Sequence, residues 1–221
     1  MMRNYIFLGP PGAGKGTMAT RLAEKEKFDH ISTGDILREE IKNKSELGRR
    51  AQSFIDAGRL VPDEVVTAIV AGRLGKNPNG TILDGFPRTV PQAELLEREF
   101  EDKNMELMAT VLLQVDRAIL LKRLTGRRIC QECGAVYHIT NMPPQVPGKC
   151  DKCGGELYQR SDDTEETVEE RLQEYKNKTV QLIDYYKQRG KLLSVPANTD
   201  QETIFKKLCT ALSEIEEDLN S

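Results

Sequence analysis

Apolar positions along the chain follow two periods, and the chain switches between them in a regular order. Tyr5-Ile6-Phe7-Leu8 is a short unbroken apolar run stopped by Gly9-Pro10, the pattern of a strand buried on both faces. Phe28 to Ser32, Thr81 to Asp84, Ala109 to Val115 and Leu192 to Val195 read the same way. Between these runs the spacing is helical. Met18 to Lys25 follows the first strand, and Val65, Val66, Ile69 and Val70 recur at i, i+4 behind Pro62, a residue suited to a first helical turn. Ile204, Leu208, Leu212, Ile215 and Leu219 form an apolar stripe near the C-terminus. Five strands alternating with helices predict an α/β fold: a parallel five-stranded sheet flanked by helices.

Two segments stand outside the alternation. Thr33 to Val61 is strongly charged and helical in pattern, whereas Arg127 to Asp163 holds four of the five cysteines together with Pro143, Pro144 and Pro147. Both read as insertions on the α/β body, the second as a small irregular module. There is no internal repeat and no linker long enough to separate independent domains.

Charge narrows the partners. The 221 residues carry 32 Lys and Arg against 35 Asp and Glu, a net charge of −3, which argues against a protein whose main partner is nucleic acid. No apolar run approaches the roughly 20 residues of a membrane span, and the first residues lack the apolar stretch of a secretory signal. A cytoplasmic chain with no membrane partner is expected. In that reducing compartment, Cys130, Cys133, Cys150 and Cys153, spaced C-x2-C-x16-C-x2-C, point to a tetrahedral zinc site and not to disulfides. Four thiolates leave no open coordination position, so the zinc is expected to be structural, and His138 to be hydrogen-bonded or exposed and not a further ligand. Cys209 shares the apolar stripe with Phe205 and Leu212 and reads as a buried, inert thiol; His30, at a strand edge, reads as structural.

The most specific local signal is Gly9-Pro10-Pro11-Gly12-Ala13-Gly14-Lys15-Gly16-Thr17, placed after a strand and before a helix. Glycines let successive backbone N–H groups turn toward an anion, the helix N-terminus adds its positive dipole end, and Lys15 supplies a mobile charge for outer phosphates. Gly16 occupies the place where Ser or Thr usually follows the lysine, so a metal-binding hydroxyl must come from Thr17 or be replaced by water. Asp84 ends its strand where the ligands of such sheets collect, and its carboxylate suits Mg²⁺, directly or through water.

This loop, taken with Ser32-Thr33-Gly34-Asp35-Ile36-Leu37-Arg38, Asp84-Gly85-Phe86-Pro87-Arg88, Leu124-Thr125-Gly126-Arg127-Arg128 and Arg160-Ser161-Asp162-Asp163, closely resembles the adenylate kinase family, in its long bacterial type with a cysteine-bearing lid. The resemblance covers essentially the whole chain. It implies a P-loop nucleoside monophosphate kinase fold with two inserted mobile subdomains: a core of residues 1–31, 62–126 and 164–221, an AMP-binding insertion at 32–61 and a zinc-bearing lid at 127–163. It implies reversible transfer of a phosphoryl group from ATP to AMP with Mg²⁺, giving two ADP and serving nucleotide homeostasis. For ATP it implies Gly12, Ala13, Gly14, Lys15, Gly16, Thr17, Arg123, Arg127, Val136, Tyr137 and Thr199. For AMP it implies Thr33, Arg38, Arg59, Leu60, Val61, Gly85, Phe86, Pro87, Arg88, Gln92, Arg160 and Arg171. The groups placed around the transferred phosphoryl are Lys15, Arg88, Arg123, Arg160 and Arg171. A monomer is expected.

The residue types fit that chemistry. A phosphate monoester has a second pKa near 6 and is mostly a dianion at pH 7, so as acceptor it needs no protein base. What it needs is alignment with a second polyanion despite repulsion, which Lys15, Mg²⁺ and the planar forks of Arg38, Arg88, Arg123, Arg127, Arg160 and Arg171 supply. Other readings stand beside this one. Arg171 suits a solvated helix face as well as a ligand site. One of the adjacent pair Arg127 and Arg128 is structural. Asp162 and Asp163 suit either helix N-caps or partners of basic side chains. At the level of function the alternatives are a kinase for GMP, CMP or UMP, and a nucleotide-regulated zinc-ribbon protein that binds nucleic acid. The second is disfavoured because residues 127–163 hold five basic and five acidic side chains.

Overall fold

The computed structural model describes residues 2–219, with side chains to Glu217, so the side chain of Leu219 in the predicted stripe lies outside what is described. The elements are β1 (Arg3–Leu8), α1 (Lys15–Glu26), β2 (Asp29–Ser32), α2 (Thr33–Lys42), α3 (Glu46–Asp56), α4 (Asp63–Ala71), β3 (Gly80–Asp84), α5 (Val90–Asp102), β4 (Leu107–Gln114), α6 (Arg117–Thr125), β5 (Arg127–Cys130), β6 (Val136–His138), β7 (Leu157–Tyr158), α7 (Glu165–Glu174), α8 (Gln181–Gln188), β8 (Leu192–Pro196) and α9 (Gln201–Leu219). The main sheet is wholly parallel, in the order β2-β3-β1-β4-β8. Among the described residues no helix is long and apolar enough to cross a membrane.

The two-residue period of the strands divides the apolar residues between two cores. Tyr5, Phe7, Val111 and Leu113 pack with α1 and α9 through Met18, Leu22, Ile204 and Leu208. Their neighbours Ile6, Leu8 and Leu112 face the other way, into a core with Leu96, Leu182 and Tyr186. Burial on both faces is why these strands read as unbroken apolar runs. In the register, Asp84 stands beside both Phe7 and Ser32. The C-terminal ends of β1, β2 and β3 therefore open side by side, where the chain leaves β1 for one half of the sheet and later crosses to the other.

The charged insertion folds as the hairpin of α2 and α3. Ser45 caps α3 through Gly48 N, 2.9 Å away, and the two helices meet so closely at Gly48 that a Cβ there would lie 2.2 Å from the Glu40 carbonyl oxygen. Only glycine fits. The cysteine segment forms a separate three-stranded antiparallel sheet, β6-β5-β7, over a small core of Cys130, Tyr137 and Cys150. His138 ties this module to α6: its Nε2 meets the Lys122 carbonyl at 3.0 Å, while Nδ1 accepts the backbone N–H groups of Thr140 and Asn141.

Sequence periodicity did not distinguish the stretch joining α7 to α8. Tyr175–Thr179 is a π-turn in which Val180 N reaches the Tyr175 carbonyl at 3.0 Å. Such inserted turns are frequent at functional sites, and Tyr175 and Thr179 line the main cavity with Arg171. Cys209 corrects one expectation. It is half-buried and not enclosed, with Lys25 Nζ 3.7 Å from its sulfur, because α9 is open along that edge.

Candidate active site

The loop after β1 builds an anion seat from backbone alone. Gly14 takes a left-handed conformation (φ +94°) as N-cap of α1, and no side chain caps the helix, which leaves its first-turn N–H groups facing outward. Lys15 is the first helical residue; its ammonium folds back onto the carbonyls of Gly9 (2.7 Å) and Pro10 (3.0 Å). The glycine at position 16 has a steric reason. A Cβ there would lie 3.1 Å from Asp84 Oδ2, so the glycine lets the carboxylate at the end of β3 approach the helix N-terminus. Asp84 is buried, and His30 Nε2 stands 3.7 Å from its Oδ2. That donor set, one buried carboxylate oxygen beside the helix N-terminus carrying Thr17, suits a Mg²⁺ arriving with a nucleotide.

Beside the loop opens a cavity, continuous with solvent on one side. Its walls bring together Lys15, Thr33, Arg38, Arg59, Leu60, Val61, Gly85, Pro87, Arg88, Gln92 and Arg171, residues drawn from six separate segments. The Thr33 hydroxyl donates to the Gly85 carbonyl at 2.9 Å, and Arg88 Nε does the same at 2.8 Å. At Gly85 (φ +76°) a side chain would be strained by the backbone conformation, and its Cβ would press on Arg88 Nη2 at 2.9 Å and Thr33 Oγ1 at 3.0 Å. Phe86 supports the site from behind, its ring buried in the core. Leu37, Ile55 and Val66 add an apolar wall that sequence reasoning missed, although the i, i+4 pattern through Val66 already marked that helix as half-buried.

Arg127 and Arg171 meet around two carboxylates. Arg127 grips Asp163 with both arms of its fork, at 2.8 and 2.5 Å, and Arg171 Nη1 reaches the same carboxylate at 3.0 Å and Asp162 Oδ2 at 3.2 Å. Asp163 is completely buried. The N-cap of α7 is Thr164, whose hydroxyl accepts from Thr167 N, so both aspartates are ion-pair partners and not caps. Arg171 is turned into the cavity and away from solvent. Arg128 is the structural member of its pair, bound back onto the carbonyls of Thr125 and Arg127. Arg160 approaches Asp35 at 3.4 Å, and its Nε is buried without a hydrogen-bond partner among the described residues. Arg38 also pairs with Asp35.

The remaining predicted positions do not line this cavity. Arg123 donates to the carbonyls of Ala197 and Thr199, at 3.0 and 3.1 Å. Val136 is exposed, whereas Tyr137 is packed inside the cysteine module, where its hydroxyl accepts from Asp151 N at 2.8 Å and lies 3.5 Å from Cys150 Sγ.

Crowding of cations leaves an electrostatic mark. Burial, with repulsion from Arg88, Arg171 and Arg127, lowers Lys15 to about 8 against the pull of Asp84. Burial, then Arg171, lowers Arg88 to about 10; burial, then Arg38 and Arg127, does the same to Arg160. Burial would raise Asp35, but Arg38, the Ser32 hydroxyl and Arg160 outweigh it and hold the carboxyl at about 2. Cations that gather against both burial and mutual repulsion are arranged for a strongly anionic ligand.

The four cysteine sulfurs lie within 4.8 Å of one another. A tetrahedral zinc with Zn–S bonds of about 2.3 Å places its sulfurs about 3.8 Å apart, so this set fits. Two matching turns present them: Gly134 N bonds to the Cys130 carbonyl at 3.1 Å, and Gly154 N to the Cys150 carbonyl at 2.8 Å. The Tyr137 hydroxyl lowers the Cys150 thiol to about 6, whereas at Cys153 the Gly155 backbone N–H is outweighed by the neighbouring thiols, which raise it to about 12.

A family model described as adenylate kinase matches residues 7–191. Among curated proteins, the adenylate kinase of Clostridium tetani (strain Massachusetts / E88) is 49% identical over 214 residues, covering 96% of this chain and 99% of its own length. That of Archaeoglobus fulgidus is 51% identical over 215 residues, with 96% and 99% covered, and that of Desulforudis audaxviator 53% identical over 201 residues, with 90% and 93% covered. The chain belongs to the adenylate kinase family. Its activity is that of an ATP:AMP phosphotransferase, which decides against the GMP, CMP and UMP kinases and the zinc-ribbon reading. For an adenylate kinase the cationic ring has a direct use. Two polyanions must be held end to end, and fixed positive charge in a partly water-excluded site does this without reorganising during the reaction.

Proposed function

We propose that the cavity over Thr33, Arg38, Gly85, Arg88 and Gln92, with the backbone of Arg59, Leu60 and Val61, takes AMP, and that Gly12 to Thr17 with Arg123 and Arg127 take the phosphates of ATP. Val136 and the Thr199 segment would flank the ATP base. Lys15, Arg88, Arg160 and Arg171 surround the transferred group. The observation that carries this is their convergence from α1, the loop after β3, the segment after β7 and α7, with Arg160 Nε buried and without a hydrogen-bond partner among the described residues. Asp84, with water or Thr17, would hold the Mg²⁺ that neutralises part of the phosphate charge. The AMP phosphate attacks as a dianion, so the protein's task is to align it, exclude water and stabilise the equatorial oxygens. The segments 32–61 and 127–163 act as closing flaps over the core, in a cytoplasmic monomer that keeps ATP, ADP and AMP in balance.

The pH profile of AMP-dependent ADP formation tests this reading. Lys15 must be protonated to meet phosphate, and in the free enzyme it loses that proton as pH rises through about 8. kcat/KM for Mg-ATP therefore falls above pH 8, while kcat holds to higher pH because bound phosphates keep the ammonium charged. Below about pH 6 both fall, as the acceptor phosphate takes up its second proton. ADP formation at the same rate with no AMP present, or a kcat/KM flat to pH 10, would overturn it.

The zinc would act on the lid and not on the chemistry. A flap that opens in every cycle cannot draw its stability from the main core, and a Cys₄ site supplies it locally. Chelation is expected to release one metal ion per chain, to raise amide exchange across 127–163 and to lower the melting temperature, with phosphoryl transfer surviving at low temperature. Loss of turnover in a fully folded metal-free form would contradict this.

A further inference from the structure

The AMP-site reading rests on Gln92, yet an amide side chain is ambiguous by itself. Its oxygen and nitrogen are nearly the same size, and exchanging them by a half-turn reverses the hydrogen-bond pattern it presents. In this chain the ambiguity is removed. Gln92 is buried, Oε1 accepts the Arg88 backbone N–H at 2.7 Å, and Nε2 donates to Asp63 Oδ1 at 2.6 Å. The other oxygen of Asp63 accepts the Thr89 hydroxyl at 3.0 Å, and that hydroxyl in turn accepts Gln92 N at 3.3 Å as the N-cap of α5. Every donor and acceptor in this ring has a single consistent assignment. A backbone N–H can only donate and a carboxylate can only accept, so a flipped amide would set N–H against N–H at Arg88 and oxygen against oxygen at Asp63.

The geometry points to Asp63, on the first turn of α4, as a residue that sets base selectivity by locking, with the Arg88 backbone N–H, the orientation of Gln92. With one lone pair of Oε1 and one hydrogen of Nε2 committed to the ring, the second of each remains for the cavity that Gln92 lines. That edge offers an acceptor beside a donor. Adenine matches it, with its N6–H donor next to a ring-nitrogen acceptor. A 6-oxopurine places O6 where N6–H was and meets Oε1 oxygen to oxygen. The flipped amide would suit the 6-oxopurine instead, and Asp63 forbids the flip together with the Arg88 backbone N–H. Part of the discrimination between AMP and IMP thus comes from a carboxylate that touches neither base. Asp63 acts through Gln92 and is a positioning residue. The inference rests on the AMP-site reading above.

The test compares kcat/KM for AMP and IMP, at saturating Mg-ATP, in wild type, Asp63→Asn, Asp63→Ser and Gln92→Leu, each checked by its melting temperature. Asparagine and serine can each donate or accept, so either substitution removes the carboxylate's restraint and leaves only the Arg88 backbone N–H to oppose the turned amide. The AMP/IMP ratio is expected to fall at least about tenfold in both Asp63 variants, partly through a gain with IMP, and Gln92→Leu is expected to lose the preference as well. If Asp63 served only the start of α4, its loss would slow both acceptors alike and leave the ratio unchanged. Folded Asp63 variants with the wild-type ratio, beside a Gln92→Leu that loses it, would overturn the lock alone. A Gln92→Leu that keeps the ratio would overturn the AMP-site reading, and the lock with it.

Discussion

Lys15→Met lowers kcat for ADP formation by about 10³-fold while leaving the fold intact. The magnitude is that of removing one preorganised charge from a transition state whose negative charge has few other places to go. Methionine keeps the length and most of the packing of the side chain at the start of α1, so what is lost is the ammonium. The fold has reason to tolerate this. The Lys15 proton binds more weakly in the folded chain, at about 8, than in an unfolded chain near 10.5, so the unfolded state holds more protons between those values. Stability therefore rises with pH across that window, and below pH 8 the charged lysine opposes folding. Removing it should leave the melting temperature at neutral pH unchanged or higher. Steady-state ADP formation and a thermal scan on one preparation check both halves. A variant within tenfold of wild-type kcat would remove Lys15 from the reacting centre.

Asp163→Ala is expected to be costly in both stability and activity. The carboxylate has no solvent exposure and anchors Arg127 through two bonds and Arg171 through one. Breaking a buried pair from one side costs about 3–5 kcal/mol, because the partner charges stay buried and uncompensated. For a chain of this size that lowers the melting temperature by roughly 6–20 °C. Activity falls as well, since Arg127 and Arg171 lose the group that aims them. A particular recovery follows from the same physics. ATP with AMP brings fresh negative charge to those arginines, so the two nucleotides together should raise the melting temperature of Asp163→Ala by more degrees than they raise wild type. Equal ligand shifts in the two proteins would mean that Asp163 serves only the packing of its turn.

Neighbouring residues decided most of what could be read along the chain. The five strands and the loop at Gly9 to Thr17 were legible because burial on both faces and glycine-led turning are imposed within a few positions of each other. The cysteine pairs were legible for the same reason, since a tetrahedral site demands two short, similar turns. Asp63 was not. It is an ordinary acidic residue in a helix's first turn until α5 places Gln92 and Thr89 against it. Asp163 had two local readings of similar weight, and only the arrival of Arg127 and Arg171 from other segments separated them. Tyr137, which the resemblance places with Val136 at the nucleotide, has its hydroxyl beside Cys150 Sγ and Asp151 N, contacts that no local pattern announced. The π-turn at Tyr175–Thr179 left no periodic trace, because one extra residue in a turn changes which side chains face the cavity without changing their type.

By itself the amino-acid order determined the layered α/β body, the phosphate loop, the four-thiol module and the family to which the chain belongs, because each depends on spacing that a linear pattern records. Tertiary structure alone decided which cations meet, which carboxylates restrain them and which way a buried amide points. Those are questions of distance and direction between residues far apart in sequence: Asp63 to Gln92, Arg127 to Asp163, Arg160 to Asp35. Hydrogen bonds and ion pairs fall off within a few ångströms, and no periodicity along the chain carries that information.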